Sequence, residues 1–213
     1  MKKGLFITFE GIEGSGKSTQ IVLLADYLKA KGYNVVTTRE PGGTLIGAAI
    51  RKILLDPELT LMDYHTEVLL YAADRAQHVA EVIKPALDKG EIVISDRYLD
   101  SSIAYQHYGR ALPLDFILDI NKRATQGLKP DLTILLAVPV SLGLKRATKL
   151  EADRIEQESI EFHNRVEAGF LQLAKHDPGR WHIIDGSMSV HEVHEEVVRV
   201  VEAVIKAQGF SPV

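Results

Sequence analysis

The chain has no cysteine, which excludes disulfide bonds, thiolate nucleophiles and cysteine-ligated zinc. It also lacks a basic excess: 25 Lys and Arg stand against 29 Asp and Glu, a formal net charge of −4. A nucleic-acid groove or an anionic membrane surface wants cationic excess, so neither partner is expected. No apolar run approaches the roughly 18 residues that a membrane-spanning helix requires. Met1-Lys2-Lys3 resembles the start of a signal peptide, but the apolar run behind it ends at Phe9, too short for an h-region. Repeats, low-complexity tracts and linkers are missing too. What is present is an ordinary globular composition, 46% hydrophobic and 25% charged over 213 residues. That suits one domain with a substantial core, soluble and cytoplasmic.

The residues Gly11-Ile12-Glu13-Gly14-Ser15-Gly16-Lys17-Ser18-Thr19 fit the pattern G-x-x-x-x-G-K-S. The β-branched and aromatic run Leu5 to Phe9 precedes them, and Ile21, Leu24, Ala25 and Leu28 follow at helical spacing. Strand, glycine loop and helix in that order read as a phosphate-binding P-loop. Its glycines let the backbone turn N–H groups inward, and the helix beginning near Lys17 adds its positive end to the same cavity. Lys17 is placed to reach β- and γ-phosphate oxygens, and the Ser18 hydroxyl to ligate a Mg²⁺ that bridges them. Thr19 assists from the first helical turn.

Further β-rich runs at Asn34 to Thr38, Ile92 to Ser95, Leu132 to Val138 and Trp181 to Ile184 alternate with stretches of helical period. The alternation predicts an α/β fold, a five-stranded parallel sheet with helices on both faces and ligands beyond the carboxyl ends of its strands. One helix is expected to end at Lys89 before Gly90, and the last to run from about Val190 to Gln208 before Gly209. Arg39 to Thr44, Asp96 to Tyr98 and Asp185 to Ser187 each follow a strand, consistent with one shared cleft.

Asp96 is placed to hold Mg²⁺ through water, and Arg97 to clamp a second phosphate, which a hydrolase acting on water does not need. The segment from Leu144 to Arg154 mixes cations with acids between two helices, as a mobile lid of about 146–158 does when it closes over a transferred phosphate and shuts out water. Tyr71 and Arg75 share a helix face, an aromatic plane beside a donor that suits a nucleobase. Ser101, Ser102, Tyr105 and Gln106 raise the same possibility. His191-Glu192-Val193-His194-Glu195 fails the H-E-x-x-H zinc spacing and reads as an exposed helix start.

Taken in order, F-E-G-I-E-G-S-G-K-S-T-Q, T-R-E-P-G-G-T, Y-A-A-D-R-A-Q-H, S-D-R-Y-L-D-S-S-I-A-Y-Q and D-R-I-E-Q-E-S resemble the thymidylate kinase family nearly end to end. The resemblance implies a P-loop nucleoside monophosphate kinase fold that phosphorylates dTMP to dTDP with ATP, with Mg²⁺ as cofactor and a homodimer as assembly. It implies that Arg97 holds the dTMP phosphate, Tyr71 stacks on thymine, Arg75 donates to the base, and Tyr105 and Glu13 line the sugar. Ser102 and Gln106 complete the base contacts. The P-loop carries no arginine, so the charge on the transferring phosphate falls to the lid, as in the bacterial subclass, with Arg154 and Arg146 as candidates. The lid nonetheless departs from that subclass, offering one lysine from Thr148 to Ala152. Ala137 stands where many members carry Asp, which leaves the metal to Asp96 and Glu13.

A kinase for another nucleoside monophosphate shares the P-loop and Asp96-Arg97 but needs a different base pocket. A GTP-binding switch needs D-x-x-G and N-K-x-D; the first is missing, and Asn121-Lys122-Arg123-Ala124 lacks the final aspartate. A non-catalytic nucleotide-binding module needs neither Arg97 nor a lid.

Overall fold

The computed structural model describes residues 4–147 and 152–212. The Met1-Lys2-Lys3 start and the lid residues Thr148, Lys149, Leu150 and Glu151 therefore lie outside the described residues.

Five strands form the sheet: β1 (Leu5–Glu10), β2 (Val35–Arg39), β3 (Ile92–Asp96), β4 (Leu132–Ala137) and β5 (Trp181–Asp185). Their order is β2-β3-β1-β4-β5. Every neighbouring pair is parallel, the pairing that the βαβ alternation predicts. All six residues of β1 are buried, the mark of a central strand covered on both faces. Leu5, Ile7 and Phe9 pack with Leu24, Leu28, Val197 and Val201, whereas Phe6 between them packs with Val79, Ile83 and Leu87. The period-two alternation of a strand thus feeds two cores from one run of sequence.

The first core is closed by α1 (Lys17–Ala30) and α9 (Val190–Ala207). Ser189 and Glu192 form a reciprocal capping box at the start of α9. The His191 to Glu195 stretch is therefore the first turn of a capped helix, as expected. Gly90 and Gly209 both take positive φ just past a helix end, the role their position predicts.

On the other side lie α2 (Leu45–Leu55), α3 (Tyr64–His78), which passes through a π-helical stretch (Val79–Ile83) into α4 (Lys84–Asp88), and α5 (Leu99–Ser102), which continues as a second π-helical stretch (Ile103–Gly109). Helices α6 (Leu114–Thr125), α7 (Val140–Ala147) and α8 (Ile160–His176) complete the chain. Because β1, β2 and β3 run parallel, the loops behind them open on the same sheet edge, and the site is built there.

Candidate active site

The P-loop and α7 touch backbone to backbone. A Cβ on Gly14 would stand 2.0 Å from the Gly143 carbonyl oxygen, and one on Gly143 would stand 2.6 Å from that of Glu13. Only two glycines allow this approach, and it brings Arg146, three residues beyond Gly143, over the loop. Arg146 Nη1 donates to the Gly186 carbonyl at 3.0 Å, so the arginine spans from α7 to the turn after β5.

Lys17 is nearly buried, and its Nζ donates to the carbonyls of Gly11 (3.0 Å) and Ile12 (2.9 Å) and to Ser15 Oγ (3.3 Å). Burial, and after it the nearby Arg97 charge, lowers its pKa to about 8. Ser18 Oγ donates to Asp96 Oδ2 at 2.9 Å, which places a hydroxyl and a carboxylate side by side where a P-loop metal sits. Both are hard oxygen donors, as Mg²⁺ requires. Lys17, Ser18, Thr19, Asp96 and Arg146 all line one cavity of about 650 Å³. Gly11 and Ile12 do not line it; their carbonyls turn instead toward the lysine.

A second cavity of about 160 Å³ is lined by Glu13, Tyr71, Arg75, Arg97, Ser102, Tyr105 and Gln106, every residue assigned to dTMP in the sequence. Arg75 is buried at its floor. Its Nε donates to Glu40 Oε2 (2.7 Å), its Nη1 to Ser102 Oγ (2.8 Å) and to Asn121 Oδ1, and its Nη2 to the Tyr98 carbonyl (3.0 Å). With five N–H donors on a guanidinium, these four bonds leave one Nη2 proton uncommitted in a residue that lines the cavity. Gln106 Nε2 donates to Glu67 Oε1 at 3.0 Å, so its amide is oriented from behind.

Arg97 has φ of 72°, left-handed backbone that a non-glycine residue adopts only when its surroundings enforce it. Glu10 enforces it: Oε1 accepts from the Tyr98 N–H at 2.9 Å and Oε2 from Ser101 Oγ at 2.6 Å. Burial, with Asp100 close by, pushes the Glu10 carboxyl up to about 8. The Arg97 side chain then donates to Ser101 Oγ (3.1 Å) and Glu13 Oε1 (2.9 Å), and Tyr105 Oη donates to the same Glu13 oxygen at 2.6 Å. Burial raises the Glu13 carboxyl, but Arg97, Lys17 and Tyr105 outweigh it and hold the group below the ordinary range. Glu13, expected to share a metal with Asp96, is here engaged by Arg97 and Tyr105, and it lines both this cavity and the larger one.

Arg154 departs furthest from the sequence reading. It lines neither cavity. Its Nε donates to the Leu54 carbonyl at 2.8 Å and its Nη2 lies 2.7 Å from Glu67 Oε2, inside a buried cluster that includes Arg110. The cause is Glu67: burial raises a lone carboxyl, and this one is held down by Arg110 first, then by Gln106 and Arg154.

The sequence reading put Arg39 to Thr44 at the shared cleft without a role for any of them, and it missed Arg51 and Glu156. Arg39 lines the larger cavity, while Arg51, Glu40 and Glu156 line both, as do Glu13 and Arg97. Arg51 Nη1 donates to the Pro41 carbonyl at 2.9 Å, which joins α2 to the loop after β2. The available signal was an adjacent cation pair, Arg51-Lys52, inside the mostly apolar Leu45–Leu55 stretch, close behind T-R-E-P-G-G-T. The two cavities thus meet at a pair of guanidiniums, Arg51 and Arg97.

The comparisons with known proteins agree with this geometry. A family model described as thymidylate kinase matches residues 9–197. A thymidylate kinase of Sulfurihydrogenibium sp. is 52% identical over 195 residues, covering 92% of this chain and 95% of its own. One of Halothermothrix orenii is 50% identical over 204 residues, covering 94% and 97%. Among solved structures, the thymidylate kinase of Ehrlichia chaffeensis superposes with a TM-score of 0.77 at 39% identity, covering 93% of this chain and 99% of that one. Matches that span nearly the whole of both partners, on a fold whose two cavities meet at Arg51 and Arg97, place the chain in the thymidylate kinase family of phosphotransferases.

Proposed function

We propose that this chain transfers the γ-phosphoryl group of ATP directly, in line, to dTMP, as a single domain whose lid spans about 146–158. The observation that carries the reading is the junction of a P-loop cavity with a smaller aromatic and amide-lined cavity at Arg51 and Arg97. ATP phosphates occupy the P-loop, contacted by its N–H groups, by Lys17 and by Arg146. The dTMP phosphate lies on Arg97, with thymine stacked on Tyr71 and its carbonyl accepting from Arg75. Glu13 and Tyr105 meet the sugar. Arg51 and Arg97, which line both cavities, would stabilise charge that spreads over the oxygens of the phosphate in transfer. Ser18 Oγ and Asp96 would hold Mg²⁺, which supplies neutralisation of phosphate charge when bound.

The proposal extends to a homodimer in the cytoplasm. Helices α2, α3 and α6 pack side by side and expose Ile46, Ile53, Leu69 and Leu118 to solvent. Among the described residues, no helix is long and apolar enough to cross a membrane.

An ADP-release assay with Mg-ATP and dTMP, dUMP, dCMP, AMP, GMP or no acceptor tests the reading. Turnover selective for dTMP supports it. Preference for another monophosphate keeps the mechanism and discards the base pocket, and hydrolysis without an acceptor removes direct transfer.

A further inference from the structure

His163 on α8 is fully buried, and neither of its ring nitrogens has a hydrogen-bond partner among the described residues. Buried polar atoms are almost always satisfied, so two orphans on one ring call for a reason. Facing the ring is Glu13: His163 Nδ1 stands 3.8 Å from Glu13 Oε2, itself buried and without a hydrogen bond. Helix α8 is fixed against this part of the site by aromatic packing, Phe162 and Phe170 each meeting the Tyr105 ring edge-on. Tyr105 in turn donates to Glu13 Oε1, so α8 forms a rigid wall behind the carboxylate.

The carboxylate is held from the other side by Arg97 Nη2, which also donates to Oε1. A phosphate entering the smaller cavity competes for that guanidinium. As Nη2 turns toward phosphate, Glu13 Oε1 keeps Tyr105 as its hydrogen-bond donor, with the Lys17 charge nearby.

We infer that His163 is a positioning residue for Glu13, its Nδ1–H donating to Oε2 and fixing the carboxylate edge that receives the sugar hydroxyl of the acceptor nucleotide. The present gap exceeds an ordinary N–H···O length by about 1 Å, and release of Oε1 from Arg97 lets the carboxylate close it. A carboxylate has room for all of these donors, since its two oxygens offer about four lone-pair sites. The inference rests on the proposal that Glu13 meets the acceptor sugar.

The test is the affinity for dTMP, measured calorimetrically without ATP, together with the thermal midpoint of each variant. His163→Leu removes both orphaned nitrogens, so it leaves the midpoint equal to or above that of the parent while weakening dTMP about tenfold, the loss of one hydrogen bond to a charged group. His163→Asn, whose amide nitrogen stands near the position of Nδ1, recovers most of the affinity. Glu13→Gln weakens dTMP by itself, and adding His163→Leu to it changes nothing further. Unchanged dTMP affinity in His163→Leu overturns the inference, as does a loss that tracks a lowered midpoint and is not recovered by asparagine. If Glu13→Gln binds dTMP as the parent does, the sugar-subsite reading fails and takes the inference with it. A weakened Glu13→Gln beside an unaffected His163→Leu removes His163 alone.

Discussion

Glu67 Oε2 and Arg154 Nη2 lie 2.7 Å apart in a buried cluster, the acid on α3 and the base within the expected lid. Through Gln106 and Arg110, the same carboxylate also holds the helical stretch that lines the smaller cavity. Arg154 is thereby tied to the wall of that cavity. Arg110 stays paired with Glu67, so removing Arg154 takes one of two cations from the carboxylate and costs about 1.5–3 kcal/mol. Arg154→Ala is expected to lower the thermal midpoint by about 3–10 °C. Arg51→Ala, at the junction of the cavities, is expected to keep its midpoint and lose about 10²-fold or more in kcat. Melting curves and steady-state kinetics of the two variants, read together, check the assignment; a stable, catalytically dead Arg154→Ala reverses it.

Lys17→Ala is expected to lower turnover by orders of magnitude while dTMP binding changes little, because Lys17 lines the larger cavity and not the smaller one. The pH dependence has a definite sign. Burial, with Arg97 nearby, lowers the Lys17 amine to about 8, so above that pH it is neutral and loses its attraction for phosphate. The value of kcat/KM for ATP should fall as pH rises past about 8, while kcat holds to higher pH, since bound phosphate favours the protonated amine. A profile of kcat/KM for ATP that stays flat to pH 10 contradicts this.

For Arg97→Ala, the lost charge-assisted contact with phosphate is worth about 1.5–3 kcal/mol, so dTMP use should weaken roughly tenfold to a hundredfold. ATP dependence should change far less. The KM for each substrate, with the other saturating, separates the two.

Glu10 makes stability pH-dependent. Its folded pKa of about 8 lies above the ordinary 4.5, so between those values the folded state holds a proton that the unfolded chain has released. The favourable contribution is full below about pH 4.5, declines as pH rises and is gone above about 8. Glu10→Gln keeps an acceptor for the Tyr98 N–H and never ionises. Its unfolding free energy should match the parent's near pH 4.5 and exceed it at pH 8.5, as measured by urea denaturation; parallel curves at both pH values remove the argument.

Leu69→Glu places a charge in the middle of the exposed α2, α3 and α6 face. Sedimentation should show the parent as a dimer and the variant as a monomer. A parent that sediments as a monomer at micromolar concentration ends the dimer proposal.

The sequence by itself determined what depends on neighbours in the chain. The P-loop, its helix, the parallel α/β fold and the α9 start are encoded by spacings of a few residues, and Tyr71, Arg75, Arg97, Ser102, Tyr105 and Gln106 stood out through motifs of the same short range. Tertiary structure decided what depends on pairing across the chain. Arg154 reads as a phosphate ligand until α3 brings Glu67 against it, and Arg51 is one of two adjacent cations in a mostly apolar helix until the loop after β2 folds under it. His163 likewise looks like any helical histidine until α8 packs behind Glu13. Charge and hydrogen-bond partnership are settled by desolvation and distance, and both are properties of the packed molecule rather than of the order of its residues.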